Sequence, residues 1–450
     1  MAGLFAISVD PELYKGDFLE DLFWGTFYQQ HLGEDYAGLS TLNEGQIKIR
    51  THRGLFRPTF SSDLQGLEGT EGIGYCGSAR EPFLVDSKLG KFSVCFSGNI
   101  VNLPELIGLF KSFGHTLERG DDVEIIAKLL VQGCDFKNGI KKMTEDIKGA
   151  YSLLILTESG IYATCCPTGQ WPLVIGEKEG AVVVSSGSGG FSNNGFKLVR
   201  DVEPGEIIFL ENGRIETKEK MVSAEKKICS FIWVYTGFPN DTFHEVTSSL
   251  IRKRLGAALA RRDIKNGFVP DVVVPVPDSG RFYAIGYHQE FCRQVNSGMT
   301  LILPCYDEVL LKYPYAGRSF TPQTQEARDQ EAQIKLLESG EDYRGKRVVV
   351  CDDSIVRGTQ MQTNLVPKLR MIGVKEVHFR IGNPELRSYC PWGKTIKKGE
   401  TLVSRMPSIE ERIRFLGVDG LEYNTTDDLI AAIGISRKML CIDCSLDLLE

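Results

Sequence analysis

Apolar and polar positions change rhythm partway along the chain. Up to about residue 222, short alternating stretches lie between turns and read as strands, with few helices; Phe18 to Tyr28 carries apolar residues at helical spacing and is predicted to be one of them. From about residue 228, continuous apolar runs at 271–276, 347–351 and 376–381 alternate with helical patterns over Glu245 to Arg262 and Gln360 to Ile372. An unbroken apolar strand is buried on both faces, so this half is expected to be α/β, a parallel sheet with helices on both sides. The first half is expected to be α+β. Between them, the strand and turn of residues 201–213 lead into a charged stretch from Lys218 to Lys227, which places the expected border between domains of residues 1–222 and 223–450. No internal repeat or low-complexity segment is visible.

The chemistry lies where strands of the second half end. In Arg347-Val-Val-Val-Cys-Asp-Asp-Ser-Ile-Val-Arg-Gly-Thr-Gln360 an apolar strand runs into paired carboxylates and then a small-residue loop. Asp352 and Asp353 would emerge at the carboxyl edge of the sheet, where they can accept hydrogen bonds from vicinal ribose hydroxyls and hold Mg²⁺. Ser354, Ile355, Val356, Arg357, Gly358 and Thr359 then turn the chain into a helix, and their amides with the Thr359 hydroxyl can cradle a 5′-phosphate. A second strand, Asp271-Val-Val-Val-Pro-Val-Pro-Asp-Ser-Gly-Arg281, ends in a tight turn whose amides and Arg281 suit a pyrophosphate. A buried strand capped by Asp explains one such loop; two anion loops in one half are hard to explain as architecture. The first loop resembles the phosphoribosyl pyrophosphate (PRPP) motif of phosphoribosyltransferases.

Composition narrows the setting. With 450 residues and 42% hydrophobic residues, the chain can bury two or three cores. A formal charge of −7 without a basic block argues against nonspecific nucleic-acid binding. Apolar runs such as Val182–Val184 and Val348–Val350 are strand-sized, and Asp10 and Glu12 interrupt the N-terminal one, so no membrane role and a cytoplasmic location are expected. Twelve cysteines in such a protein suit thiols or metal ligands better than disulfides. Cys441-Ile-Asp-Cys444 is the only C-x-x-C pair, and zinc, an iron–sulfur cluster, a redox pair or no role at all fit its spacing equally.

Beyond the two loops, nearly the whole chain resembles the amidophosphoribosyltransferase family. Ile228 to Tyr235, Arg252 to Gly256, Pro275 to Gly280, Ala284 to Tyr287, Tyr315 to Phe320 and Glu376 to Ile381 follow it in order. The resemblance implies an αββα domain of the N-terminal-nucleophile-hydrolase kind followed by a type I phosphoribosyltransferase domain. It further implies that Ser279, Asp352 and Asp353 ligate Mg²⁺, that Asp278, Ser279, Gly280 and Arg281 hold the pyrophosphate, and that Arg318 and Lys335 neutralise it as it leaves. Tyr315 to Gln323 would close as a flap over PRPP, screening a ribosyl cation from water. Cluster-bearing members match at Cys229, Cys390, Cys441 and Cys444, implying a [4Fe–4S] cluster that staples the C-terminal tail to the domain junction. Zinc would satisfy the same thiolates. The other eight cysteines read as small buried hydrophobes, and a homo-oligomer is expected.

The first half breaks the family pattern where glutamine would be hydrolysed. Ala2 stands at the position of the nucleophilic cysteine and has no reactive side chain. Gly77 falls where a carboxylate-binding Arg is expected, Ser97 replaces the oxyanion Asn before Gly98, Leu32 replaces another Arg, and Trp171 a further one; Asp122 alone matches a substrate-binding position. In the second half, 237–241, 312–315 and 382–385 depart as well. The expectation is a transferase that delivers ammonia, free or supplied by a partner, to PRPP after losing its glutaminase. A non-catalytic PRPP-binding paralogue and a transferase using another amine are the competing readings.

Overall fold

The computed structural model describes residues 2–222, 225–298, 302–313, 336–338, 343–393, 396 and 398–446. Period-two burial shapes the first half. Along the strand Gly3–Val9, Leu4 and Ala6 enter one core while Phe5, Ile7 and Val9 enter another, so both faces are covered and all seven residues are buried. This strand is central in a seven-stranded antiparallel sheet, flanked by Ala181–Ser185 and Glu71–Gly77. A second antiparallel sheet of six strands, with Gly149–Thr157 between Gly90–Ile100 and Gly160–Cys165, packs against it through Tyr75, Leu154 and Val184. The helix Phe18–Phe27 lies on the outer face of the first sheet, its start fixed by Asp17, whose carboxylate accepts from the amides of Leu19 and Glu20. Helices Asp122–Leu130 and Phe136–Asp146 cover the second. The result is the αββα sandwich expected.

In the second half five strands run parallel, in the order Cys305–Tyr306, Val272–Pro275, Arg347–Asp352, Glu376–Ile381, Gly420–Tyr423. Val348 and Val350 face one core and Val349 and Cys351 the other, as the continuous apolar run implies. Ser248–Lys265 and Arg281–Asn296 pack on one face; the turns from Met361 to Met371 pack on the other. The first of these helices starts three residues later than Glu245 because His244 and Glu245 adopt positive φ of 48° and 64°. The expected helix from Gln360 instead opens with a wide π-type turn over Met361–Leu365. One apolar cluster runs through both halves, joining Phe5, Leu22 and Phe191 to Trp233, Leu255 and Tyr283. Among the described residues no helix is long and apolar enough to cross a membrane.

Candidate PRPP and N-terminal sites

Parallel register brings the two candidate anion loops together. Val272–Pro275 and Arg347–Asp352 are neighbours, so the turn after one faces the carboxylates that end the other. Ser279 Oγ donates to Asp352 Oδ1 at 2.7 Å, the amide of Asp353 donates to the same oxygen at 2.9 Å, and Ser354 Oγ donates to Asp353 Oδ2 at 2.5 Å. Both carboxylates are buried, and their backbone carbonyls accept from Gly382 and Asn383 of the adjacent strand end at 2.8 and 2.7 Å. Burial pushes both carboxyls up, and the Asp353 charge raises Asp352 further. Such a pair calls for a cation or hydroxyl donors.

Close approach explains the glycine of the first loop: a Cβ on Gly280 would lie 2.0 Å from the Cys351 carbonyl oxygen. The Pro277–Asp278 peptide in this loop is cis. In the second loop Gly358 has φ +75°, and the Val356 carbonyl accepts from Leu402 at 2.6 Å, tying the loop to the helix Leu402–Arg405. Ile355 is a core residue, whereas Ser354, Val356, Arg357 and Thr359 are half-buried. Arg357 pairs with Glu400.

Arg281 does not stand open at the turn expected to take pyrophosphate. Its guanidinium forks onto Glu308 at 3.0 and 3.1 Å, while Asp278 pairs with Lys312 at 2.7 Å. Sequence reading missed Glu308 and Lys312, since nothing in their spacing links them to a loop some 30 residues away. Arg318, Lys335 and the expected flap Tyr315 to Gln323 lie outside the described residues.

The four cysteines matched to a cluster come from segments that the fold stitches together. Cys229 is paired with Cys441 in a short parallel bridge, the Ser230 amide donates to the Cys441 carbonyl at 3.1 Å, and the amides of Arg387 and Ser388 donate to the Cys444 carbonyl at 2.9 and 3.2 Å. Burial raises all four thiols, Cys444 to about 12, and Cys229 also feels charge on Cys441, Cys390 and Cys444. Among the described residues no group of three or more His, Cys, Asp or Glu side chains is arranged as a metal site. The donor set itself, four thiols in one neighbourhood, fits a cluster or zinc. Of the other eight cysteines, Cys134 and Cys305 are exposed and Cys292 is partly so, which corrects the expectation that all are buried. Cys134 and Cys305 sit at a turn and on an edge strand, where packing does not require their burial.

In the first half, Ala2 lines a cavity of about 20 Å³ with Ser97, Ser152, Trp171, Ser186 and Asp241. That volume holds about one water. Ser97 Oγ accepts from the Ala2 amide at 2.9 Å and donates to its carbonyl at 2.8 Å. A Cβ on Gly77 would lie 2.1 Å from the Tyr75 hydroxyl and 2.8 Å from Ala2 Cβ, so the buried Tyr75 ring occupies the room a larger residue at 77 would need. Ser152 Oγ donates to the Trp171 carbonyl at 2.6 Å, Asp122 Oδ1 accepts from the Ile100 amide at 3.2 Å, and Asn99 donates to the Pro391 carbonyl at 3.5 Å.

An αββα half joined to a parallel-sheet half with this carboxylate turn defines a two-domain protein of the amidotransferase–phosphoribosyltransferase class. A family model for a glutamine amidotransferase domain matches residues 75–192. The amidophosphoribosyltransferase of Methanothermobacter thermautotrophicus is 33% identical over 96% of this chain and 90% of its own length. That of Methanocaldococcus jannaschii is 33% identical over 99% and 96%. The solved glutamine PRPP amidotransferase from Bacillus subtilis, complexed with ADP and GMP, superimposes with a TM-score of 0.86 at 29% identity, covering 98% of this chain and 96% of that one. The chain belongs to the amidophosphoribosyltransferase family.

Proposed function

We propose that this chain transfers ammonia to C1 of PRPP, giving 5-phosphoribosylamine and pyrophosphate for purine biosynthesis, and no longer hydrolyses glutamine. The observation carrying this reading is the buried Asp352–Asp353 pair facing Ser279 at the carboxyl edge of a parallel sheet. Asp352 and Asp353 would grip the ribose hydroxyls and, with Ser279, hold Mg²⁺. The bound cation supplies the positive charge that lets both buried carboxyls ionise. Ser354 to Thr359 would hold the 5′-phosphate, fixing C1 in place, while Asp278 to Arg281 receive the pyrophosphate and Arg318 and Lys335 offset its growing charge. For Arg281 to reach the leaving group, its fork onto Glu308 must open. Attack from the face opposite the leaving pyrophosphate inverts C1.

The loss of glutamine hydrolysis rests on three positions acting together. Ala2 brings no nucleophile, the Ser97 hydroxyl is already engaged by the Ala2 backbone, and Tyr75 crowds the place of a carboxylate-binding Arg. The domains would divide at residues 222/223. Cys229, Cys390, Cys441 and Cys444 would hold a [4Fe–4S] cluster as a structural staple, Mg²⁺ and PRPP would be bound by the second domain, and the chain would form a homo-oligomer.

The deciding experiment is pyrophosphate release by anaerobically purified protein given Mg²⁺ and PRPP, with ammonium chloride and glutamine in separate reactions. Turnover with ammonium alone is expected. Turnover with glutamine overturns the loss of the glutaminase, and PRPP binding without any turnover makes the chain a PRPP-binding protein instead. Chemical iron assay on the same material should give about four irons per chain; zinc in their place overturns the cluster.

A further inference from the structure

A buried arginine that the proposed chemistry does not use connects the two halves. Arg252 belongs to the helix Ser248–Lys265, at helical spacing from the buried Ser248, Leu255 and Leu259, and is itself only 4% exposed. Its guanidinium donates to three carbonyls of one segment: Trp233 at 2.9 Å, Tyr235 at 3.2 Å and Gly237 at 2.7 Å. The peptide between Gly237 and Phe238 is therefore held at its carbonyl by Arg252. At its other end, the Phe238 amide donates to Asp241 Oδ2 at 2.6 Å. The second oxygen of Asp241 accepts from Gly189 of the first half at 2.7 Å. Asn240 completes the grip by donating to the Gly189 carbonyl at 2.8 Å.

The same segment also reaches the carboxylates. Tyr283 Oη donates to the Val234 carbonyl at 2.9 Å, the Tyr283 ring packs where a Cβ on Gly382 would lie 2.0 Å from it, and the Gly382 amide donates to the Asp352 carbonyl at 2.8 Å. The Arg252 charge acts on both Asp241 and Asp353. The buried links, Arg252 to the Trp233 and Gly237 carbonyls and Tyr283 to the Val234 carbonyl, polarise one another, and each is costly to leave half-made.

We propose that Arg252 is a positioning residue which, through the Gly237–Phe238 peptide and Asp241, couples docking of the first half at Gly189 to the geometry of the Asp352–Asp353 turn. This rests on the PRPP reading above for its ligand but not for its structure. In this linkage the first half serves the transferase by bracing it.

A double-mutant cycle tests the coupling. Asp241→Asn, Arg252→Met and the double variant are compared for Mg²⁺–PRPP affinity by calorimetry and for amide hydrogen exchange over residues 351–359, with Arg252→Lys and the milder Asn240→Ala alongside. Expected are an affinity loss of about tenfold and faster exchange for Asp241→Asn in the parent, less than twofold further loss in the Arg252→Met background, and partial rescue by Arg252→Lys. Asn240→Ala should weaken binding two- to threefold, and it carries the test if Asp241→Asn does not fold. Additive effects, or unchanged exchange over 351–359 in Asp241→Asn or Asn240→Ala, overturn the proposal. A parent that binds no PRPP ends the PRPP reading and leaves the exchange measurement to decide this one.

Discussion

The two halves carry opposite resources at their candidate sites. At the Asp352 turn, two buried carboxylates, a serine hydroxyl and a glycine-bearing loop converge on one strand end, and mutual hydrogen bonds orient Ser279, Asp352, Asp353 and Ser354. At Ala2, the cavity holds about one water, and its nearest hydroxyl, Ser97, is spent on the backbone. The packing of these strands depends on Leu4, Ala6 and Tyr75 and not on a nucleophile at position 2, so the framework does not require one.

The contrast breaks if substitutions affect both sites alike. Asp352→Asn should lower ammonium-dependent pyrophosphate release by about 10³-fold, since it removes a charge from the paired carboxylates; a loss below tenfold in steady-state kinetics would place the chemistry elsewhere. Ala2→Cys tests the other half: with Tyr75 and Ser97 unchanged, glutamate formation should stay below about 1% of the ammonium-dependent rate. Appearance of robust glutaminase activity would mean the closed cavity opens readily.

Asp241 sharpens the comparison through pH. Burial raises its carboxyl from 3.8 to about 6, so the folded state binds this proton more tightly than the unfolded chain does. Its contribution is therefore most favourable below the unfolded pKa and declines as pH rises through about 6, by on the order of 3 kcal/mol. In urea denaturation between pH 4 and 7 the parent should lose stability relative to Asp241→Asn as pH rises towards about 6, with the difference levelling off above that; a difference that is flat or moves the other way refutes it. The smallest effect belongs to Gly358→Ala. A Cβ there meets Leu416 and Leu402 side chains at 3.0 and 3.2 Å with φ at +75°, costing about 1 kcal/mol and weakening PRPP several-fold in calorimetry.

What the sequence made legible follows from what is local. Strands at 272–275 and 347–352 were readable because unbroken valine runs have few other uses, and 376–381 because Val377, Phe379 and Ile381 recur at every second position. Asp352, Asp353 and Ser279 were readable because strand-to-loop order places them at one edge. The fork of Arg281 onto Glu308 and the reach of Arg252 to three carbonyls were not, because side-chain partners far apart in sequence leave no periodic trace. A lone arginine on an apolar helix face was the available signal for Arg252. Tyr75 likewise reads as an ordinary strand residue until its hydroxyl is seen beside Gly77.

The apolar cluster shared by Phe5, Leu22, Trp233 and Tyr283 has a bearing on dissection of the molecule. Cutting the chain near residue 222 would bare the faces that these residues cover in one another, and each fragment would present a wet, sticky wall. Calorimetry on the whole chain should accordingly record a single endotherm, and expression of the C-terminal half alone should yield aggregate. Selection acting on one site would then be enough to keep both halves in the gene.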